Sequence, residues 1–160
     1  MKEENIPELS KENIEAFLLR AANSPRRRHP KILHDTGAEL NKVFNFMMQD
    51  TYMQPHLHED KVENIYLIRG SLVVLFFDDK GKIEKTSLLS KHRKESIEIP
   101  ALNWHTYIML SKNVVTYETM LGKYDPKTWK QPAEWAPSEN LSEYKAYLSF
   151  LREACTKYLI

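Results

Sequence analysis

The chain is poor in cysteine and glycine, with Cys155 as its only thiol and four glycines in 160 residues. A single cysteine excludes an internal disulfide framework, so no stapled secreted scaffold is indicated and a reducing compartment fits. No apolar run approaches the roughly 18–20 residues that span a bilayer. Near the start, Lys2, Glu3, Glu4, Glu8, Lys11, Glu12 and Glu15 break up the apolar core that a secretory leader requires. Charge of one sign is also missing: 23 Lys and Arg stand against 22 Asp and Glu. A net charge of +1 offers no strong field to nucleic acid or to an anionic membrane surface. The expectation is a cytoplasmic protein of one domain, residues 1–160, large enough to bury about two thirds of its unfolded surface.

What is present is a sequence of changing textures. Ser10 is placed to cap a helix over about residues 11–22, because Ile14, Phe17, Leu18 and Ala21 repeat at the spacing of one buried helical face. Arg26-Arg27-Arg28-His29-Pro30 then reads as a loop, since the proline disfavours continued helix. From about residue 40 to 120 the chain turns to short runs of Val, Ile, Phe and Tyr. The predicted strands are 43–48, 52–58, 64–68, 72–77, 82–89, 96–99, 106–110 and 114–119. Asp78-Asp79-Lys80-Gly81 supplies a hairpin turn, and Arg69-Gly70 marks another sharp junction. Many short strands at even spacing favour a sandwich or a closed barrel. Residues 121–158 read as a flap followed by a helix, with Pro126, Pro132 and Pro137 interleaved with Tyr124, Trp129 and Trp135. Asn140 and Glu143 have capping-box spacing, and Tyr144, Tyr147, Leu148, Leu151, Ala154, Cys155 and Tyr158 share one face of an amphipathic helix.

The chemistry-bearing pattern lies inside the strand-rich region. Residues at i and i+2 of a strand point the same way, so His56 and His58 project two imidazoles into one space. Glu63 opens the next predicted strand, after a connection short enough to return antiparallel, and His105 can complete the set from a distant strand. Three imidazole nitrogens and one carboxylate oxygen suit one divalent transition metal, Zn, Fe, Mn, Ni or Co, at about 2.0–2.2 Å. A lone His-x-His pair is more often structural. The frame around it is more specific: four residues separate His58 from Glu63, six separate Glu63 from Gly70, and four separate Pro100 from His105. At about one in twenty per specified position, that coincidence is improbable in one short chain.

This frame resembles the two cupin motifs, and more narrowly the WbuC-like cupin-fold metalloproteins of polysaccharide and O-antigen biosynthesis. The carriers run over roughly residues 20–140, and include Ser24-Pro25-Arg26-Arg27-Arg28, Leu33-His34, Thr51-Tyr52-Met53-Gln54-Pro55-His56, Leu67-Ile68-Arg69-Gly70, Trp104-His105-Thr106 and Gly122-Lys123-Tyr124-Asp125-Pro126. The resemblance implies a mainly β cupin, a double-stranded β-helix or jelly-roll barrel, with an N-terminal helix, a C-terminal amphipathic helix and a bound metal. It departs at Asp50, Lys94 and Leu102, which stand at motif positions usually held by glycine, and at Met109, which replaces an asparagine.

Strand parity adds Tyr52 and Gln54, in phase with the first two histidines, and Tyr107, in phase with His105, as candidate cavity residues. Arg28 and its neighbours can grip a carboxylate or phosphate, His34 can reach the site from its mouth, and Tyr124 and Lys130 can roof it. Cys155 reads as a small buried hydrophobe. The functional expectation is a metal-dependent enzyme on a sugar or sugar nucleotide, isomerase-like or epimerase-like, with a carbohydrate-like or anionic small-molecule ligand. A noncatalytic binding or regulatory module and an iron-dependent oxygenase are the alternatives, and a homodimer is compatible with either.

Overall fold

The computed structural model describes residues 9–158. Ser10 Oγ accepts from Asn13 N at 3.2 Å and opens helix α1, Lys11–Asn23. Ten strands follow: β1 (Arg28–Ile32), β2 (Leu40–Met48), β3 (His56–Leu57), β4 (Glu63–Arg69), β5 (Ser71–Phe77), β6 (Ile83–Ser90), β7 (Ser96–Ile99), β8 (Trp104–Met109), β9 (Asn113–Leu121) and β10 (Gln131–Pro132). Helix α2, Tyr144–Glu153, comes after them, with a short 3-10 turn at Thr156–Tyr158. The strands form two five-stranded antiparallel sheets, ordered β1-β2-β9-β4-β7 and β10-β3-β8-β5-β6.

Each sheet is buried on both faces over part of its area, and that accounts for the unbroken apolar run of β5. Leu72 and Val74 join Met47, Ile65, Leu67, Tyr107, Met109 and Val114 between the sheets. Val73, Leu75 and Phe77 point the other way and pack under Leu148, Leu151 and Cys155 of the C-terminal segment. On the opposite side, Leu18 and Ala21 of α1 cover Phe44, Phe46 and Val115. Alternation between two buried faces replaces the simple apolar-in, polar-out pattern. Gly70 turns β4 into β5 at φ +84°, where a Cβ would lie 2.5 Å from the Asn113 carbonyl, so both backbone and space demand glycine.

Three sequence expectations need correction. The 26–30 segment is a loop only at its start: Arg28–Ile32 pairs with β2, with Pro30 opposite Asn45. Because β1 is a sheet edge, the missing proline N–H costs no ladder bond. The strand expected over 52–58 shrinks to His56–Leu57, since Pro55 interrupts it and β3 bonds to β8 only at His56 opposite His105. The expected capping box does not form either. Helix α2 starts after Glu143 with no side-chain cap bond, and it stops at Glu153 before the 3-10 turn.

Candidate metal centre

His56 lies on β3, His58 one residue past its end, Glu63 at the start of β4 and His105 on β8, so both sheets contribute. Their exposures are 3%, 4%, 3% and 1%, and one ligand atom from each lies within 4.8 Å of the others. His105 Nε2 stands 3.0 Å from Glu63 Oε2, and His58 Nε2 is 3.5 Å from the same oxygen.

The backbone determines which nitrogen of each ring faces inward. His56 Nδ1 contacts the Gln54 carbonyl at 3.1 Å, His58 Nδ1 the Trp129 carbonyl at 2.5 Å, and His105 Nδ1 the Asn103 carbonyl at 2.8 Å. A carbonyl only accepts, so each Nδ1 must donate, and each neutral ring then aims an Nε2 lone pair at the cluster. His58 Nε2 is buried with no hydrogen-bond partner. Three lone pairs and a carboxylate this close repel one another unless a proton or a metal cation lies between them. The donor set therefore fits a divalent transition metal.

The protonation tendencies match. Burial pulls the His56 imidazolium well below the usual histidine range, helped by the charges of His105 and Lys130. Burial also opposes charge on His58, yet the Glu63 carboxylate 3.5 Å from its Nε2 outweighs it, and the ring rises. Burial would raise Glu63, but its bond to His105 and the nearby His58 ring hold it well below the ordinary carboxylate range.

His56, His58 and Glu63 border a cavity of about 460 Å³, of a size to hold a small molecule. Tyr107, Arg28, His34, Tyr124 and Lys130 all line it. Tyr107 Oη is buried without a partner, and burial with the charges of Glu63 and Glu118 keeps it protonated. Arg28 is committed elsewhere, donating to the Tyr52 carbonyl at 2.7 Å and to Glu139 at 2.6 Å. His34 Nδ1 accepts from Lys42 N at 2.9 Å at the outer end. Tyr124 stays exposed and leans on Trp129, with ring centroids 5.2 Å apart.

Tyr52 and Gln54 lie away from the cavity. Tyr52 stacks on Tyr144 at 5.2 Å and donates to the Pro137 carbonyl at 2.7 Å, on the outer face under α2. Gln54 Nε2 donates to the carbonyls of Ala133 and Ala136 and ties down the post-barrel segment. Parity misplaces both because the backbone before Pro55 is not a regular strand. Trp135 packs on Phe77 and Trp104, not over the cavity, and Cys155 is fully buried with its thiol pushed up to about 11 by that burial.

The sequence reading missed Glu118, Asn41, Asn45 and Trp129 as cavity residues. Glu118 is 6% exposed, accepts from Thr116 Oγ1 at 2.8 Å, and is raised to about 8 by burial and by the charge of Glu63. Its only sequence signal is a carboxylate in phase with Val114 along β9.

Residues 9–89, just over half of the chain, match the family described as a domain of unknown function, DUF6016. The chain belongs to that family. No curated protein matches this DUF6016 chain in sequence. Solved structures do match in fold. CapF of Staphylococcus aureus, a capsular polysaccharide assembling protein, is similar at a TM-score of 0.57 and 19% identity over 66% of this chain and 31% of its own. The DUF6016 chain thus spans about a third of CapF. KdgF from Halomonas sp. is similar at 0.51 and 18% identity, over 62% of this chain and 84% of its own. The Schizosaccharomyces pombe Cnp3 cupin domain is similar at 0.50 and 12% identity, over 61% of this chain and 66% of that one. At these identities the shared feature is the cupin fold, with two antiparallel sheets here flanked by an N-terminal and a C-terminal helix.

Proposed function

We propose that this DUF6016 chain is a metal-dependent cupin enzyme of polysaccharide biosynthesis, in which His56, His58, Glu63 and His105 hold one divalent transition metal. The substrate is a sugar or sugar nucleotide, and the reaction class is isomerisation or epimerisation. The observation that carries the metal is the set of three imidazoles whose Nδ1 atoms all donate to backbone carbonyls, leaving three buried Nε2 atoms around one carboxylate. When bound there, such an ion supplies Lewis-acid polarisation of a carbonyl or diol.

The chain's own residues do the rest. Glu63 is held as a carboxylate between two histidines, which suits a ligand better than a proton carrier. Tyr107 and Glu118 bring hydrogen-bonding groups to the same space, and Trp129 with Met53 gives it an apolar side on which a sugar ring can rest. The carbohydrate reading draws support from the motif resemblance to WbuC-like cupins and from the likeness of fold to CapF. It is tested by incubating metal-loaded protein with a panel of sugar nucleotides and following proton and carbon NMR. Conversion that stops when the metal is chelated is the expected result. Saturable binding with no conversion across the panel would replace the enzyme by a binding module.

A further inference from the structure

Five side-chain polar atoms are buried without a hydrogen-bond partner among the described residues: Asn41 Oδ1, His58 Nε2, Tyr107 Oη, Trp135 Nε1 and Tyr147 Oη. Three of the five, from Asn41, His58 and Tyr107, belong to residues lining the one cavity beside the candidate metal centre. Each orphan costs the desolvation of a polar group, so their concentration in one place calls for a polar occupant. His58 Nε2 belongs to the metal set. The other two are an acceptor, the Asn41 amide oxygen, whose nitrogen already donates to the Gly122 carbonyl, and a hydroxyl, that of Tyr107. An acceptor and a hydroxyl on the walls match a ligand carrying several hydroxyl groups.

A second feature of the same cavity concerns charge. Lys130 lines it and makes no hydrogen bond or ion pair with any described residue. Its charge is felt by both His56 and His58, so it stands within electrostatic reach of the metal ligands. Glu139, the carboxylate whose field reaches Lys130 most strongly, is already engaged by Arg26 at 2.9 Å and Arg28 at 2.6 Å. Arg26, Arg28 and Lys130 thus line the cavity together with the buried carboxyl groups of Glu63 and Glu118, and Lys130 forms an ion pair with neither of these nor with Glu139. A bound divalent ion would make the cavity more positive still. A cation with no direct ion-pair partner on the wall of a cavity suits an anionic group on the ligand.

We infer that the cavity's ligand is a polyhydroxylated acid of about monosaccharide size, with its anionic group on Lys130 and its hydroxyls between Asn41, Tyr107 and the metal side. The volume of about 460 Å³ admits a ligand of that size and excludes a macromolecule. This inference rests on the reading of the cavity as the ligand site, and names the substrate class for it. A carboxylate and a phosphate meet Lys130 by the same chemistry, so both acids enter the test.

The experiment is isothermal titration of metal-loaded full-length protein with glucose, glucuronate and glucose 6-phosphate, for the parent and for Lys130→Met, with metal content measured on every sample. The parent should bind at least one acid about tenfold more tightly than glucose, equal to about 1.4 kcal/mol. Lys130→Met should bring the acids to within about threefold of glucose, with metal content and melting temperature unchanged. The acid favoured tells carboxylate from phosphate. Glucose bound as tightly as both acids, or an acid preference that survives Lys130→Met, overturns the inference. Protein that takes up no metal yet shows the Lys130-dependent preference leaves this inference standing and removes only the metal reading.

Discussion

At the scale of single residues, Leu102 shows how tightly the turn before His105 is drawn. It adopts φ 63°, its N–H donates to the His58 carbonyl at 2.8 Å, and its side chain is 68% exposed. The turn joining β7 to β8 thus ties the segment before His105 to His58 through one backbone bond. A left-handed leucine costs about 1–2 kcal/mol, whereas glycine adds about 0.5–1 kcal/mol of freedom to the unfolded chain. Little packing is lost, so Leu102→Gly should stabilise the protein by about 0.5 kcal/mol, seen as a higher urea midpoint at unchanged slope. A lower midpoint would show that the leucine makes contacts that outweigh the strain. The cupin-motif comparison had marked this position as a usual glycine, and its positive φ supplies the physical reason. That His56, His58, Glu63 and His105 cluster was legible for a related reason: period-2 spacing and a fixed glycine are local properties of sequence. Glu118 was not, because β9 is covered on both faces and its inward and outward positions carry similar residues.

At the scale of elements, the post-barrel segment does more than cover the barrel. β10 pairs with β3, the Trp129 carbonyl fixes the His58 tautomer, and Lys130 faces the cavity. Sequence gave aromatic residues with something to cover but not the partner, since such backbone contacts leave no side-chain signature. Tyr52 and Gln54 mark the same limit: parity holds only where the backbone stays extended, and Pro55 ends it. The segment is held to β1 by Arg28, 7% exposed at its side chain, paired with Glu139 at 20%. Burial opposes the Glu139 charge, but Arg28 and Arg26 hold the carboxyl below the ordinary value of 4.5. A carboxyl depressed in the folded state stabilises the fold above about 4.5 and loses that contribution as pH falls through its lowered value. Glu139→Gln should therefore destabilise by about 3 kcal/mol at pH 7, leaving Arg28 buried without its partner. The deficit should shrink as pH drops below about 4.5, measured by chemical denaturation across pH. A pH-independent deficit would assign the effect to packing.

At the scale of the whole molecule, folding and metal capture should be linked, because strands of both sheets meet at the ligands and the unfolded chain does not bring them together. An ion that binds only the folded state at a hundred times its dissociation constant adds about 2.7 kcal/mol. Chelation should lower the melting temperature, and restoring the metal should raise it, with the shift lost in His58→Ala. The architecture itself was readable in advance, from short strands at even spacing and from the motif frame. What the sequence left open was the division of apolar residues between the barrel interior and the two helix-covered faces, since both faces draw on the same residue types. The most direct test of the account is elemental analysis of untagged protein, for the parent and for His58→Ala, His105→Ala and Glu63→Gln. The account predicts about one transition-metal ion per chain in the parent and a marked loss in all three variants. A parent that stays metal-free after exposure to these ions, or variants that keep a full complement, would contradict it.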